Sequence, residues 1–284
     1  RLTMMGSQQK TTCKESKNSS LARRLFWIGA GGILLCALAI RLYRLDFESL
    51  WMDELRQVSY YRRGFLGVIK GAFTQTQPPL DYLLGWGLDL FGLAESDFWV
   101  RVPAALFGVG SIAVLMLWMH RAFSPFAALA SGALLAVSPL HLEMSQEARP
   151  YTIFLFFALL FLYLYPECRR RDPKKNWGVW ALWGGVVFLM LQSRLLGPVI
   201  CVMSLGIYLL GIMGFKWAKK RHAELKEELS HFWTVMVVFA FAWALHGPVF
   251  GAVVCLNRRF PSPPMSLADK IGRGARMLYR IFEA

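Results

Sequence analysis

The chain has 284 residues, 56% of them hydrophobic, with a positive mean hydropathy and a formal net charge of +14. That is too apolar for an ordinary soluble domain, and the apolar residues fall into stretches of roughly 16–20 separated by charged punctuation, the pattern of an all-α, multi-span membrane protein. The positive charge sits in short clusters between those stretches, with no basic stripe and interleaved aromatics outside them, which excludes nucleic acid as a partner.

Residues 1–24 are polar and carry six Lys/Arg, and they read as a disordered cytoplasmic N-terminus. The first apolar run, 25–42, ends in Arg41-Leu42-Tyr43-Arg44 with no small-x-small cleavage site, so it reads as an uncleaved first span. Further spans are expected at about 101–119, 124–140, 151–165, 177–193, 198–215 and 232–250. The apolar stretch 80–91 is short and contains Asp81 and Asp89. If it does not cross, the segment 1–24, His120-Arg121, the cluster Arg169 to Lys175 and the cluster Lys216 to Lys226 all share one side. Positive-inside bias makes that side the cytoplasm. Residues 80–91 are then an amphipathic helix or half-entry on the outer side.

This predicts a seven-span module over 25–250, its outer face built from the long loop 43–98, the loop 141–150 and the turn 192–197. Residues 251–284 read as the start of another outer region of a truncated chain. Five cysteines (Cys13, Cys36, Cys168, Cys201 and Cys255) show no C-x-x-C spacing, so neither a disulfide framework nor a thiolate metal site is expected. No phosphate-binding glycine loop of either common kind is present.

The polar residues on the expected outer face supply the chemistry. Trp51-Met52-Asp53-Glu54 places two adjacent carboxylates after the first span; neighbours on a helix point apart, so one can act as a general base while the other binds or orients. The plainer reading is an acidic helix start. Gln77-Pro78-Pro79-Leu80 imposes an extended segment and then a helix N-terminus, which favours an anionic group, or is simply a turn. His141 to Tyr151 carries Glu147 and Arg149 and could line a cavity shared with Asp53; ionisable groups at membrane level are costly and functional by default. Arg194, in the apolar turn after the fifth span, either binds phosphate bidentately or snorkels to headgroups. His246 in the last span reads as packed rather than ligating.

Taken together, Trp51-Met-Asp53-Glu54, Gln77-Pro-Pro-Leu80, Phe91-Gly92, Arg101-Val-Pro103, Ser138-Pro139 and Ser145-Gln-Glu147-Ala-Arg149-Pro-Tyr151 resemble the GT-C superfamily of polyprenyl-phosphate-sugar glycosyltransferases. The nearest branch is the family 39 and aminoarabinose-transferase-like group, with bacterial relatives of protein O-mannosyltransferases. The resemblance implies a polyprenyl-phosphate-linked sugar as donor, a lipid, glycan or protein acceptor, and inverting transfer outside the cytoplasm of a bacterial inner membrane. It implies Asp53 as the base and Glu54, Gln77, Glu147, Arg149 and Arg194 as substrate-binding residues, with the arginines on the leaving phosphate. Some relatives carry an Asp in the second outer loop where this chain has Glu147 and Arg149, which leaves the second acid's role and a divalent metal open. A transporter or flippase would instead show repeat symmetry and paired charges at mid-membrane. A scaffold would tolerate replacement of Asp53.

Overall fold

The computed structural model describes residues 23–74, 77–170, 176–219 and 221–259, the side chains of 73–74, 222–223 and 247–259 excepted. The expected disordered N-terminus (apart from Arg23 and Arg24, which are helical) and the tail beyond 259 lie outside the described residues. The described chain is all-helical: α1 (Arg23–Leu42), α2 (Met52–Tyr61), α3 (Gly64–Thr74), α4 (Leu80–Asp89), a 3-10 turn (Leu93–Glu95), α5 (Asp97–Ala122), α6 (Pro125–Val137), α7 (Pro139–Gln146), α8 (Tyr151–Arg170), α9 (Trp177–Ser193), α10 (Leu196–Ala218) and α11 (His222–Arg259).

Five of these are long and apolar enough to cross a membrane: α1, α5, α8, α10 and residues Glu224–His246 of α11. The pair α6 and α7 would make a sixth as one broken span, bent by 60°. Helix α9 is apolar but has 17 residues, about 26 Å at the rise of an α-helix.

The structure corrects several expected boundaries. The third apolar run is not straight to 140: Pro139 has no N–H to continue the helix, and Ser138 is extended at φ −61° and ψ 119°. The expected loop 141–150 is helical as far as Gln146. The expected turn 192–197 shrinks to Arg194 and Leu195. The last span lies within one helix of 38 residues, because the polar stretch from His222 is rich in helix formers. The loop 43–98 is mostly helical, and 80–91 contains α4 with Asp81 buried on it.

Two compact units make up the chain, Arg1–Tyr43 with Arg101–Val187, and Arg44–Val100 with Phe188–Ala284. In the first, Phe26, Ala30 and Ala37 of α1 pack with Ile112 and Met116 of α5 and with Ala128 and Ala136 of α6. Ala128, Gly132 and Ala136 are spaced four apart on α6, and a Cβ on Gly132 would lie 2.4 Å from Met116 Cγ. Small residues in that register let membrane helices approach closely, where dispersion replaces the hydrophobic drive. Ser124 starts α6 by accepting from the Ala127 N–H at 3.1 Å, with Pro125 behind it. Trp183 of α9 stacks on Phe161 of α8 at 4.9 Å and donates to its carbonyl at 3.2 Å. In the second unit α2, α3 and α4 pack on one another, α11 packs on α3, and α10 pairs with α11. Lys216 fastens that last pair, 2.9 Å from Glu228 and 3.3 Å from Glu224.

Candidate functional site

Helix α2 separates the two adjacent carboxylates. Its buried residues are Glu54, Gln57, Val58 and Tyr61, spaced three and four apart along one face. Asp53 falls off that face: its side chain is 62% exposed, with Arg56 at 3.8 Å one turn on. An exposed pair of that kind contributes little in water. Glu54, 1% exposed, reaches back to accept from the Trp51 N–H at 3.0 Å, satisfying one of the donors that a helix start leaves open.

Below Glu54 lies a buried polar network. Gln57 Nε2 donates to the Tyr61 hydroxyl oxygen at 2.7 Å and to the Asp81 carboxylate of α4. Asp81 is thus held across the helix pair. The Tyr61 ring packs edge-on to Tyr82 at 6.4 Å and covers Gly85. Burial pushes the Tyr61 phenol well above its ordinary value of 10.0, and the nearby Asp81 charge pushes it the same way. A phenol raised on folding holds its proton more tightly in the native state. Its contribution to stability is therefore full below the unfolded value and is lost as pH rises through the folded one. The expected result is a fall in thermal midpoint above about pH 10, reduced in Tyr61→Phe, read by thermal unfolding of the detergent-solubilised chain across that range.

Two amide oxygens in this unit, Gln57 Oε1 and Gln77 Oε1, are buried with no hydrogen-bond partner among the described residues. Orphans of this kind call for an explanation, since each costs about 1–3 kcal/mol. Gln77 sits at the hinge into α4, its N–H donating to Ala72 O at 2.9 Å, and Pro79 precedes the helix.

Arg194 follows α9 in the second unit, half-buried, its N–H on Met190 O at 2.9 Å. Beside it Gln192 meets His246 Nδ1 at 3.0 Å, both buried, so His246 is a packed and hydrogen-bonded residue. Glu147 and Arg149 belong to the first unit, in the four-residue link from α7 to α8, where the Arg149 N–H donates to Glu147 O at 2.8 Å. Asp53, Glu54, Gln77 and Arg194 fall within one unit, and Glu147 and Arg149 within the other. Among the described residues no group of three or more His, Cys, Asp or Glu is placed to hold a metal ion.

Sequence reasoning missed the buried network of Gln57, Tyr61 and Asp81 beside Glu54. The spacing of Glu54, Gln57 and Tyr61 carried the signal, because it puts them on one helical face.

A family model described as dolichyl-phosphate-mannose-protein mannosyltransferase matches residues 76–243, more than half of the chain. The chain belongs to that family. No curated protein and no solved structure matches it significantly. Membership makes this a membrane glycosyltransferase of the GT-C superfamily, one that uses polyprenyl-phosphate-sugar donors. The matched span takes in Gln77, Arg101, Glu147, Arg149 and Arg194, while Asp53 and Glu54 lie ahead of it.

Proposed function

We propose that this mannosyltransferase-family chain moves a sugar from polyprenyl phosphate to a lipid, glycan or protein acceptor at the outer face of the membrane, with inversion at the anomeric carbon and Asp53 as general base. The observation that carries the reading is the split on α2: Glu54 is buried and accepts at the helix start, while Asp53 is mostly exposed in the same turn.

A single inverting displacement needs two things from the protein. One is a carboxylate within hydrogen-bond reach of the acceptor's proton, which is the role assigned to Asp53. The other is positive charge on the departing polyprenyl phosphate; the candidates for it are Arg194 and Arg149, since a guanidinium matches phosphate oxygens in pairs. Sugar hydroxyls are donors, and the unmet oxygens of Gln57 and Gln77 suit them. Glu54 holds the start of α2, and Glu147 is assigned to substrate binding.

The clusters at 1–24, 120–121, 169–175 and 216–226 favour an inner side for those segments, with seven crossings that include α9 and the broken pair as one each. In that layout α2 to α4 lie outside the cytoplasm, in a bacterial inner membrane. The test uses sealed, right-side-out vesicles given labelled polyprenyl-phosphate sugar. Label joined covalently to an outer acceptor supports the reading. Counterflow of intact donor without product would instead favour a transporter.

A further inference from the structure

The break between α6 and α7 is held by a side chain from another helix. At Ser138 the chain is extended and Pro139 supplies no N–H, so carbonyls of the last turn of α6 lose their helical donors. The guanidinium of Arg41, 0% exposed in the last turn of α1, enters there. One terminal nitrogen donates to Ala136 O at 3.3 Å and to Ala37 O at 3.1 Å. The other lies 2.7 Å from His141 Nδ1, and Nε donates to Ser145 Oγ at 3.2 Å.

Every one of these acceptors is neutral, and no carboxylate among the described residues pairs with Arg41. Its charge is met by the carbonyl ends of α1 and α6, where helix dipoles favour a cation. Arginine does not give up its proton, so His141 Nδ1 is the acceptor and the ring is neutral. Helix α5 closes over the group without a side chain: a Cβ on Gly108 would lie 2.4 Å from Ser145 Oγ and 3.3 Å from Arg41 Nε. Gln146 adds a second tie from α7 to the end of α1, on Arg41 O at 3.3 Å and Tyr43 O at 3.4 Å.

A buried cation is an expensive way to join two apolar helices. What it provides is directionality, since a planar five-donor fork fixes its acceptors in position. We propose that Arg41 and His141 are positioning residues for the transfer reaction: they keep the α6–α7 span broken, and so set the link that carries Glu147 and Arg149. The proposal rests on the reading of that link as substrate-binding.

The test combines a structural and a kinetic readout on the full chain in sealed membranes. Glu143→Cys, at an exposed position of α7, is labelled with a membrane-impermeant maleimide, the parent chain giving the background of native thiols. Donor KM and kcat are measured on polyprenyl-phosphate sugar in the same membranes. His141→Leu removes the acceptor and strands the guanidinium, whereas His141→Asn returns an oxygen close to where Nδ1 lay. Expected for His141→Leu are a change of about fivefold or more in labelling rate and a rise of about tenfold in donor KM with a smaller change in kcat. Asn is expected to restore both to within about twofold. Should the Leu variant not accumulate, Ser145→Ala is expected to shift both readouts in the same direction by less. Labelling unmoved by His141→Leu or Ser145→Ala overturns the proposal. Labelling that moves while KM does not also overturns it and leaves Asp53's role standing. A parent chain that transfers nothing sinks the site reading on which it rests.

Discussion

Asp53→Asn is expected to lower sugar transfer by about 10²–10⁴-fold, the usual worth of a positioned general base, while the protein accumulates and unfolds as the parent does. The carboxylate is mostly exposed, and its partner Arg56 is an exposed neighbour on the same helix, so the fold loses little when the charge goes. Glu54→Ala is expected to fail in the opposite way. It removes a buried acceptor from the Trp51 N–H, so stability falls first, by about 0.5–2 kcal/mol, and activity follows as the loop loosens. Thermal unfolding and single-turnover transfer, measured on both variants, separate the two. Equal activity in Asp53→Asn and the parent would remove Asp53 from the chemistry.

Gly85→Ala carries the largest expected structural effect. A Cβ there would lie 2.1 Å from Tyr61 Cζ and 2.3 Å from both Cε atoms, well inside contact distance. The ring cannot step aside, because Tyr61 is 2% exposed and its hydroxyl is tied to Gln57. Overpacking of this kind costs about 1–3 kcal/mol and would push α2 away from α4, taking Asp53 with it. Gly87, on the same helix, has nothing within 4 Å of a built Cβ. Gly87→Ala is therefore expected to be neutral, or stabilising by about 0.5–1 kcal/mol through helix propensity. Thermal midpoints and protease sensitivity of the 43–98 segment check the contrast; a Gly85→Ala chain as stable as Gly87→Ala would contradict it.

The apolar runs made the membrane architecture legible, because about 20 residues without charge have few other fates. Helix ends were less legible. Hydropathy marks the apolar part of a helix, so the Glu- and Lys-rich start of α11 was invisible to it although those residues are good helix formers. The bend at Ser138 was written in the Ser-Pro pair, yet a proline after an apolar run is as compatible with an ending as with a break. Adjacency drew attention to Asp53 and Glu54, but which of them is buried depends on the face that α2 turns to α3 and α4. Asp81 counted only against a membrane crossing; its role as an anchor for Gln57 is a long-range pairing with no local signature. Arg41 looked like punctuation at a membrane edge, and only tertiary contacts show the guanidinium inside.

The most direct test of the account is one reaction: purified chain in vesicles, labelled polyprenyl-phosphate sugar, an acceptor extract, and Asp53→Asn beside the parent. Release of polyprenyl phosphate is expected in step with covalent labelling of the acceptor, and both are expected to be lost in the variant. Labelled donor that crosses the bilayer intact, or turnover undiminished by Asp53→Asn, would contradict it.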